Sequence, residues 1–395
     1  MGATFGRAIK RLCFQFDLNP RGHFRMSLIE SLRNHINRVQ LWYSRAPIFA
    51  AALTSLLLLG NSKAQTAAAQ LFSDSRPAMG TTFTVYLYSS DRQTATAAFD
   101  AAFEEIERIE EALSNYRPTS ELSRINRLAA SQPVTTDPEV FRLLQISFDY
   151  SRRSEGAFDI TVGPLMRAWG FFRSGGHYPA DVVLSRARAS VGWTNVALDP
   201  ARRTVKFLSP GMELDPGGIG KGYAVDQVVR VLRDAGITSA LVDAGSSTLY
   251  ALGAPPGKNG WKVVVPAPGD RTQAISEVFL RDNSLSTSGS YEKFFRLEGR
   301  TYCHIMDPRT GSPVRGMLQT TVIAATGTDS DALSTAIFVL GPGAGRKLLG
   351  SIPGTSAIWI TEAIGQPQIE PWQWPSRVCR RQNNCSNETK GKDTP

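Results

Sequence analysis

Apolar and polar residues alternate from Thr82 to Tyr88 (Thr-Phe-Thr-Val-Tyr-Leu-Tyr), the period of a half-buried strand. The period then lengthens. Phe99, Phe103, Ile106, Ile109 and Leu113 recur at helical spacing through 93–113, with acidic residues opposite them, so a long amphipathic helix is predicted. Residues 114–126 break the periodicity and read as a hydroxyl-rich loop. Val140, Phe141, Leu144 and Phe148 predict a second helix over 138–154. Residues 172–200 read as an irregular surface insertion, and 204–208 as a strand.

Beyond a helix that ends near Gly236, the apolar runs shorten to strand length at 240–243, 248–252, 261–265, 278–280, 294–297 and 321–325. Their close spacing and turn residues such as Glu298-Gly299 favour antiparallel pairing. A helix is predicted from Asp331 to Leu340, ended by Gly341-Pro342, and the polar sequence after 363 reads as a flexible or stapled tail. There are no internal repeats.

With 395 residues, 42% of them hydrophobic, the chain can bury a sizeable core. Its net charge of +9 raises nucleic acid as a partner, but the excess sits in the basic leader before residue 46 and in the tail after 376. The central part is nearer neutral, which argues against nucleic-acid binding. Residues 46–60 form an apolar run behind arginines and before small residues, so 1–64 reads as a basic leader with a signal peptide or N-terminal anchor. The expected location is exported, periplasmic or attached to the inner membrane. Of the four cysteines, Cys13 falls in the leader, and Cys379 and Cys385 are spaced to close a small loop in an oxidising compartment.

Chemistry is suggested first by Asp215-Pro216-Gly217-Gly218-Ile219-Gly220-Lys221-Gly222, with four glycines in six residues before a helical pattern. Such a strand-to-helix junction can offer unpaired N–H groups to an anion, with Lys221 adding a point charge. The plainer alternative is a tight turn before an ordinary helix. Neither a Walker A loop nor a dinucleotide fingerprint fits the glycine spacing. Asp159, isolated in an apolar stretch, is either functional or a satisfied core carboxylate. Asp331 and Thr335 stand four apart on one helix face and offer hard oxygens to Mg²⁺ or Ca²⁺, with Ser334 beside them. The alternative is an acidic residue in a first helical turn. His304, near Asp307 and Arg309, is a candidate base or a structural histidine. Serine-hydrolase, zinc-protease and CxxC patterns are missing from the sequence.

Taken together, these stretches resemble the ApbE family of FAD:protein FMN transferases. The likeness runs in order through Met79-Gly80-Thr81, Ser114-Asn115-Tyr116 with Ser123 to Asn126, Phe158 to Leu165 with Trp169-Gly170-Phe171, Asp215 to Asp226, Ser286 to Gly289, His304 to Gly311 and Asp331 to Ala336. It covers residues 76–362. The resemblance implies an α+β fold, T-fold-like, with mixed, largely antiparallel sheets packed against helices in one catalytic unit. It also implies transfer of FMN from FAD to a Thr or Ser hydroxyl of an acceptor flavoprotein, releasing AMP.

On that resemblance, FAD is held by Met79, Tyr116, Ala157, Phe158, Asp159, Asp215, Lys221, His304 and Ile305. Mg²⁺, with Ca²⁺ as a substitute, takes the Gly218 carbonyl, Asp331, Ser334 and Thr335. His304 or Asp307 helps deprotonate the acceptor. Two departures stand out: Gly245-Ser246-Ser247 replaces the usual glycine pair, and Pro216 replaces a small or aliphatic residue. Two other functions use the same site, an FAD pyrophosphatase and a non-catalytic flavin-binding protein of the envelope.

Overall fold

The computed structural model describes residues 68–378, except 173–174 and 365. The leader, the apolar run 46–60, Cys13 and the Cys379–Cys385 pair lie outside the described residues. Among those described, no helix is long and apolar enough to cross a membrane.

The chain opens with β1 (Gln70–Ala78), β2 (Thr81–Ser89), α1 (Arg92–Leu113), α2 (Glu121–Leu128), β3 (Val134–Thr135), α3 (Pro138–Arg153), α4 (Gly163–Ala168) and α5 (Asp181–Ala189). It continues through β4 (Val196–Asp199), β5 (Thr204–Phe207), α6 (Gly220–Asp234), β6 (Ala240–Ala244), β7 (Thr248–Leu252), β8 (Trp261–Ala267), β9 (Asp270–Leu280) and β10 (Asn283–Gly289). Last come β11 (Phe294–Leu297), β12 (Arg300–Cys303), β13 (Met306–Asp307), β14 (Ser312–Pro313), β15 (Met317–Ala324), α7 (Gly327–Gly350), β16 (Ser356–Thr361) and β17 (Gln368–Trp372).

Eight strands form one sheet in the order β1-β2-β6-β7-β10-β15-β16-β17, and every neighbouring pair is antiparallel. The alternation legible in the sequence sorts its faces. Phe83, Val85 and Leu87 of β2 point into the main core, which α1, α6 and α7 cover, while Tyr86 and Tyr88 point to the other face. There the β8–β9 hairpin lays Trp261, Val263, Val265, Val278 and Leu280 over Leu285 and Ile323. The order of layers is helices, sheet, hairpin.

Four expectations are corrected. Residues 121–126 are helical, because Ser120 caps α2 by accepting from the Ser123 amide while Leu122 and Ile125 face the core. The stretch 172–200 contains α5, a 3₁₀ turn and β4, and α5 packs Leu184 and Ala187 against Trp169, Tyr302 and Met306. The tail is folded through Val378. Its polar composition hides Ile369, Trp374 and Val378, which gather around Ile275, Ile358 and Ile360, and β17 extends the sheet. The last helix also starts earlier than its apolar run, at Gly327; Gly341, at φ 73° and ψ 178°, breaks the helical backbone where the sequence placed the end, and a second helical stretch continues to Gly350.

Helices α6 and α7 meet at two glycines. A Cβ on Gly222 would lie 2.1 Å from the Gly327 carbonyl oxygen, and one on Gly327 would lie 2.6 Å from the Gly222 carbonyl oxygen. Both neighbours are backbone and cannot swing away. Gly222→Ala is therefore expected to destabilise the protein by about 3 kcal/mol, the upper end of core overpacking, in urea denaturation. Gly343→Ala, where no atom lies within 4 Å of the new Cβ, should change stability by no more than about 1 kcal/mol in the stabilising direction.

Candidate active site

The site is assembled where three chain segments converge on the start of α6. The first contains Ala157, Phe158 and Asp159. It runs beside 213–215, where Val162 and Glu213 form a parallel bridge and the Asp215 amide donates to the Ile160 carbonyl at 2.6 Å. Asn126 clamps the same strand: its amide donates to the Leu214 carbonyl (3.0 Å) and its oxygen accepts from the Leu214 N–H (2.8 Å). Ser114 holds the preceding loop, its carbonyl accepting from the Ser120 hydroxyl at 2.6 Å and the Ser123 hydroxyl at 3.2 Å. Several hydroxyl and amide residues of the sequence motif are thus scaffold that fixes Asp215.

The glycine loop is bonded mainly to the protein itself. Gly217 N–H donates to Asp215 Oδ1 (2.9 Å), Ile219 and Gly220 N–H donate to the Pro216 carbonyl, and Gly222 N–H donates to Asp331 Oδ2 at 2.9 Å. The anion at the α6 N-terminus is therefore the Asp331 carboxylate, a different arrangement from the phosphate cradle that the glycines suggested. Asp226, on α6, returns the interaction: its carboxylate accepts from the Gly327 and Thr328 amides (2.6 and 2.8 Å) at the start of α7, and from the Thr328 hydroxyl. Sequence reading missed Asp226, whose only signal was its place at the end of the glycine motif. Burial pushes the carboxyls of Asp226 and Asp331 above their ordinary range, against these donors and, for Asp331, the nearby charge of Lys221.

Gly218 faces α7. A Cβ there would sit 3.1 Å from Thr335 Oγ1 and 3.2 Å from Phe158 Cε2. Phe158 is buried, and Met79 brings its methyl group within 3.6 Å of the equivalent position on Gly220. Met79 has φ +49° and its N–H donates to Glu110. Of the four proposed metal-binding residues, Gly218, Asp331 and Thr335 thus line neighbouring turns of the α6–α7 contact. Ser334 is engaged elsewhere: its hydroxyl bonds the Asp331 carbonyl and Ser288 on β10. Asp159 is also satisfied within the fold, accepting from Thr161 N–H, the Thr161 hydroxyl and Trp193 N–H, all at 2.8 Å. A cleft of about 600 Å³ opens between Glu155–Asp159, α5 with the turn after it, and Arg309, away from the α6–α7 contact, and Asp159 alone of the mapped residues lines it.

Lys221 ties the rest together, its charge acting on Asp215, Asp331 and His304. Asp215 is pushed upward, chiefly by burial, which its bond from Gly217 only partly offsets. Tyr116 is exposed and stacks on Phe172 at 4.9 Å, and Arg167 lies 4.1 Å over the Phe172 ring while pairing with Glu213. Neither Phe172 nor Arg167 was anticipated from the sequence.

His304 follows β12 and pairs across to Lys293, whose carbonyl accepts the His304 amide at 2.9 Å and contacts Nδ1 at 3.2 Å. A carbonyl only accepts, so Nδ1 carries the proton and Nε2 is left with its lone pair. Ile305 is buried beside it. Asp307 is occupied on both carboxylate oxygens by Arg309, at 2.9 Å each from Nε and Nη2. Of the two candidate bases, Asp307 is neutralised by an arginine on both oxygens, whereas no hydrogen bond among the described residues engages His304 Nε2.

The family model described as the ApbE family matches residues 79–359. The chain belongs to the ApbE family. An FAD:protein FMN transferase of Klebsiella pneumoniae is 34% identical over 298 residues, covering 74% of this chain and 90% of the relative. One from Treponema pallidum is 34% identical over 300 residues, covering 71% and 82%. Among solved structures, the ApbE protein of Thermotoga maritima superposes with a TM-score of 0.71 at 30% identity, covering 77% of this chain and 97% of that one. The apo flavinyl transferase ApbE of Pseudomonas stutzeri gives 0.70 at 30% identity, covering 78% and 96%. These likenesses bear out the α+β, largely antiparallel ApbE-like fold.

Burial lowers the His304 imidazole to about 4, with the charges of Lys293 and Lys221 acting in the same direction. An unfolded histidine takes its proton near 6.5, so between these values the unfolded chain binds more protons and stability rises with pH. The contribution is complete above about pH 6.5 and is lost as pH falls toward 4. Replacing His304 with Gln should flatten the urea midpoint's pH dependence across that window, and the wild-type imidazole resonance should titrate near 4 in NMR.

Proposed function

We propose that this chain is an FAD:protein FMN transferase that acts with Mg²⁺ on an exported acceptor flavoprotein. The observation that carries the reading is the meeting of residues mapped to the metal at the α6–α7 contact: Asp331 accepts the Gly222 N–H at 2.9 Å, and Gly218 faces the Thr335 hydroxyl. Lys221, in the same glycine loop, adds a cation suited to a pyrophosphate that must be held and cleaved.

The donor chemistry fits Mg²⁺. Asp331, the Thr335 hydroxyl and the Gly218 carbonyl are hard oxygens, and the glycine leaves the Thr335 hydroxyl open to the space that a side chain would fill. Among the described residues no group of three or more acidic, histidine or cysteine side chains is placed to hold a metal ion, so the proposed site has Asp331 as its one carboxylate and would share the cation with substrate phosphate. Bound there, Mg²⁺ would neutralise the charge that develops on the phosphoryl oxygens.

The chain's own residues supply the remainder. Tyr116 and Phe172 offer stacked ring surface to a planar ligand, and Lys221 offers a point charge to its phosphates. The acceptor hydroxyl oxygen forms a bond to the FMN phosphorus, the pyrophosphate P–O bond breaks, and AMP leaves with the electron pair. The hydroxyl proton passes to His304 Nε2. With its imidazole held near 4, His304 is a weak base, so the proton moves late, as the oxygen bonds phosphorus. That timing suits a loose phosphoryl-transfer transition state.

The apolar run 46–60 behind arginines supports export to the periplasm or attachment to the inner membrane. N-terminal sequencing of protein from the envelope fraction should find a start near residue 65 if the leader is cleaved and an intact leader if it anchors.

Purified residues 65–395, given FAD, Mg²⁺ and the flavin domain of an exported redox protein, should attach FMN covalently to the domain and release AMP. Free FMN and AMP with an unlabelled acceptor would favour the pyrophosphatase. Tight FAD binding without turnover would favour the flavin-binding protein. Asp331→Ala is expected to lower Mg²⁺-dependent transfer by about a hundredfold or more; full activity in that variant would exclude the metal assignment.

A further inference from the structure

Lys293 and His304, paired through the His304 amide, form the base of a β-hairpin that stands apart from the large sheet. Its strands β11 and β12 set Phe294 opposite Cys303, Phe295 opposite Tyr302, Arg296 opposite Thr301 and Leu297 opposite Arg300. Glu298 and Gly299 close it at φ +49° and +71°, the backbone of a two-residue hairpin turn with both central residues left-handed. One face is anchored. Phe295 and Tyr302 stack at 4.9 Å, and Phe295 lies against Trp169 and Phe171. The other face presents Phe294, 40% exposed, with the Arg296 guanidinium 5.6 Å from its ring centre.

Residues of an antiparallel pair alternate between those that exchange hydrogen bonds and those whose N–H and C=O point away from the partner strand. The His304 amide bonds the Lys293 carbonyl at 2.9 Å, so in this register the bonded pairs are Lys293–His304, Phe295–Tyr302 and Leu297–Arg300. The N–H and C=O groups of Phe294 and Arg296 therefore point outward along the β11 edge. Strand β11 has no neighbour other than β12, and no hydrogen bond among the described residues takes these groups up. Such a row is a template for one more strand.

What the edge would receive follows from its position and its charge. His304 follows β12, and its ring leans across the hairpin, with Nδ1 3.2 Å from the Lys293 carbonyl that leads into β11. A strand laid along β11 thus passes beside the imidazole that takes the acceptor proton in the reading above. Arg296 and Arg300 enter no ion pair among the described residues. Two cations on an open strand favour an acidic partner over a basic one.

We infer that the β11 edge is the docking strand for the acceptor flavoprotein, which adds an extended, acidic segment beside Phe294 and Arg296 and so brings its target hydroxyl to His304. The inference rests on the transferase reading. Main-chain hydrogen bonds supply the hold in this mode of recognition, and the side chains of the edge supply the preference for sequence.

The test pairs steady-state transfer with hydrogen exchange, using the flavin domain of an exported redox protein as acceptor. Arg296→Pro deletes an outward N–H that the hairpin itself does not use, and Arg296→Gln removes the charge while keeping that N–H. KM for the acceptor should rise about tenfold or more in Arg296→Pro and less in Arg296→Gln, with kcat and FAD affinity within about twofold of the wild type. With an acceptor whose target residue is replaced by Val, the wild-type amides of Phe294 and Arg296 should exchange more slowly than in the free protein. If Arg296→Pro does not fold, Arg296→Glu takes its place, and its KM should rise most at low salt. Wild-type transfer with KM unchanged in these variants, or with exchange at Phe294 and Arg296 unaltered by the acceptor, overturns the inference and leaves the transferase reading standing. FAD cleaved to free FMN and AMP with the acceptor unlabelled removes the transferase reading and the inference with it.

Discussion

Two helices that cap one another hold this site together. Asp226 of α6 takes the first amides of α7, and Asp331 of α7 takes the Gly222 amide of α6. Each carboxylate is drawn from solvent into a helix N-terminus, where unpaired N–H groups and the helix dipole compensate its burial. The exchange is possible only because Gly222 and Gly327 let the two backbones touch. Without that approach the carboxylates would fall short of the opposite amides, and each helix start would be left with buried, unpaired donors.

The position of the chemistry follows from this contact. With α6 and α7 locked start to start, Gly218 comes against Thr335, and Lys221 falls within electrostatic reach of Asp215, Asp331 and His304. The large antiparallel sheet serves as the platform. Its β7 and β10 strands present hydroxyls to α7, so the polar inner face of that helix is satisfied rather than excluded. The segments around 114–126 and 157–163 brace the loop from the other side through Asn126 and the Asp215–Ile160 backbone bond.

The two departures from the family pattern are accommodated by local geometry. Pro216 contributes a carbonyl that receives the Ile219 and Gly220 amides, a role that needs no amide of its own. Ser246 has φ +60°, in the left-handed region that favours glycine, and is held there by accepting its place in a turn closed by its amide on Asp243. The serine therefore carries a modest backbone strain at a position that remains exposed.

Strand and helix periods were readable at β2, α1, α3 and the antiparallel run after Gly236, because each of these elements has one wet face and one dry face. Ordered motifs named the residues of the site through family resemblance. What failed was reading where polar sequence was nevertheless buried or paired: α2 behind its serine cap, α5, the tail strand β17 with Ile369 and Trp374, and β10, whose serines look like a loop. The sequence by itself determined which carboxylates, lysine and histidine this protein has to work with. Only the tertiary structure decided that the α6 N-terminus holds Asp331 rather than an open anion site, that Asp307 is tied to Arg309, and that Asp226 belongs to the same assembly. Such pairings depend on helix starts and strand registers meeting across more than 80 residues of chain, for example Gly222 with Asp331, and local composition carries no record of them.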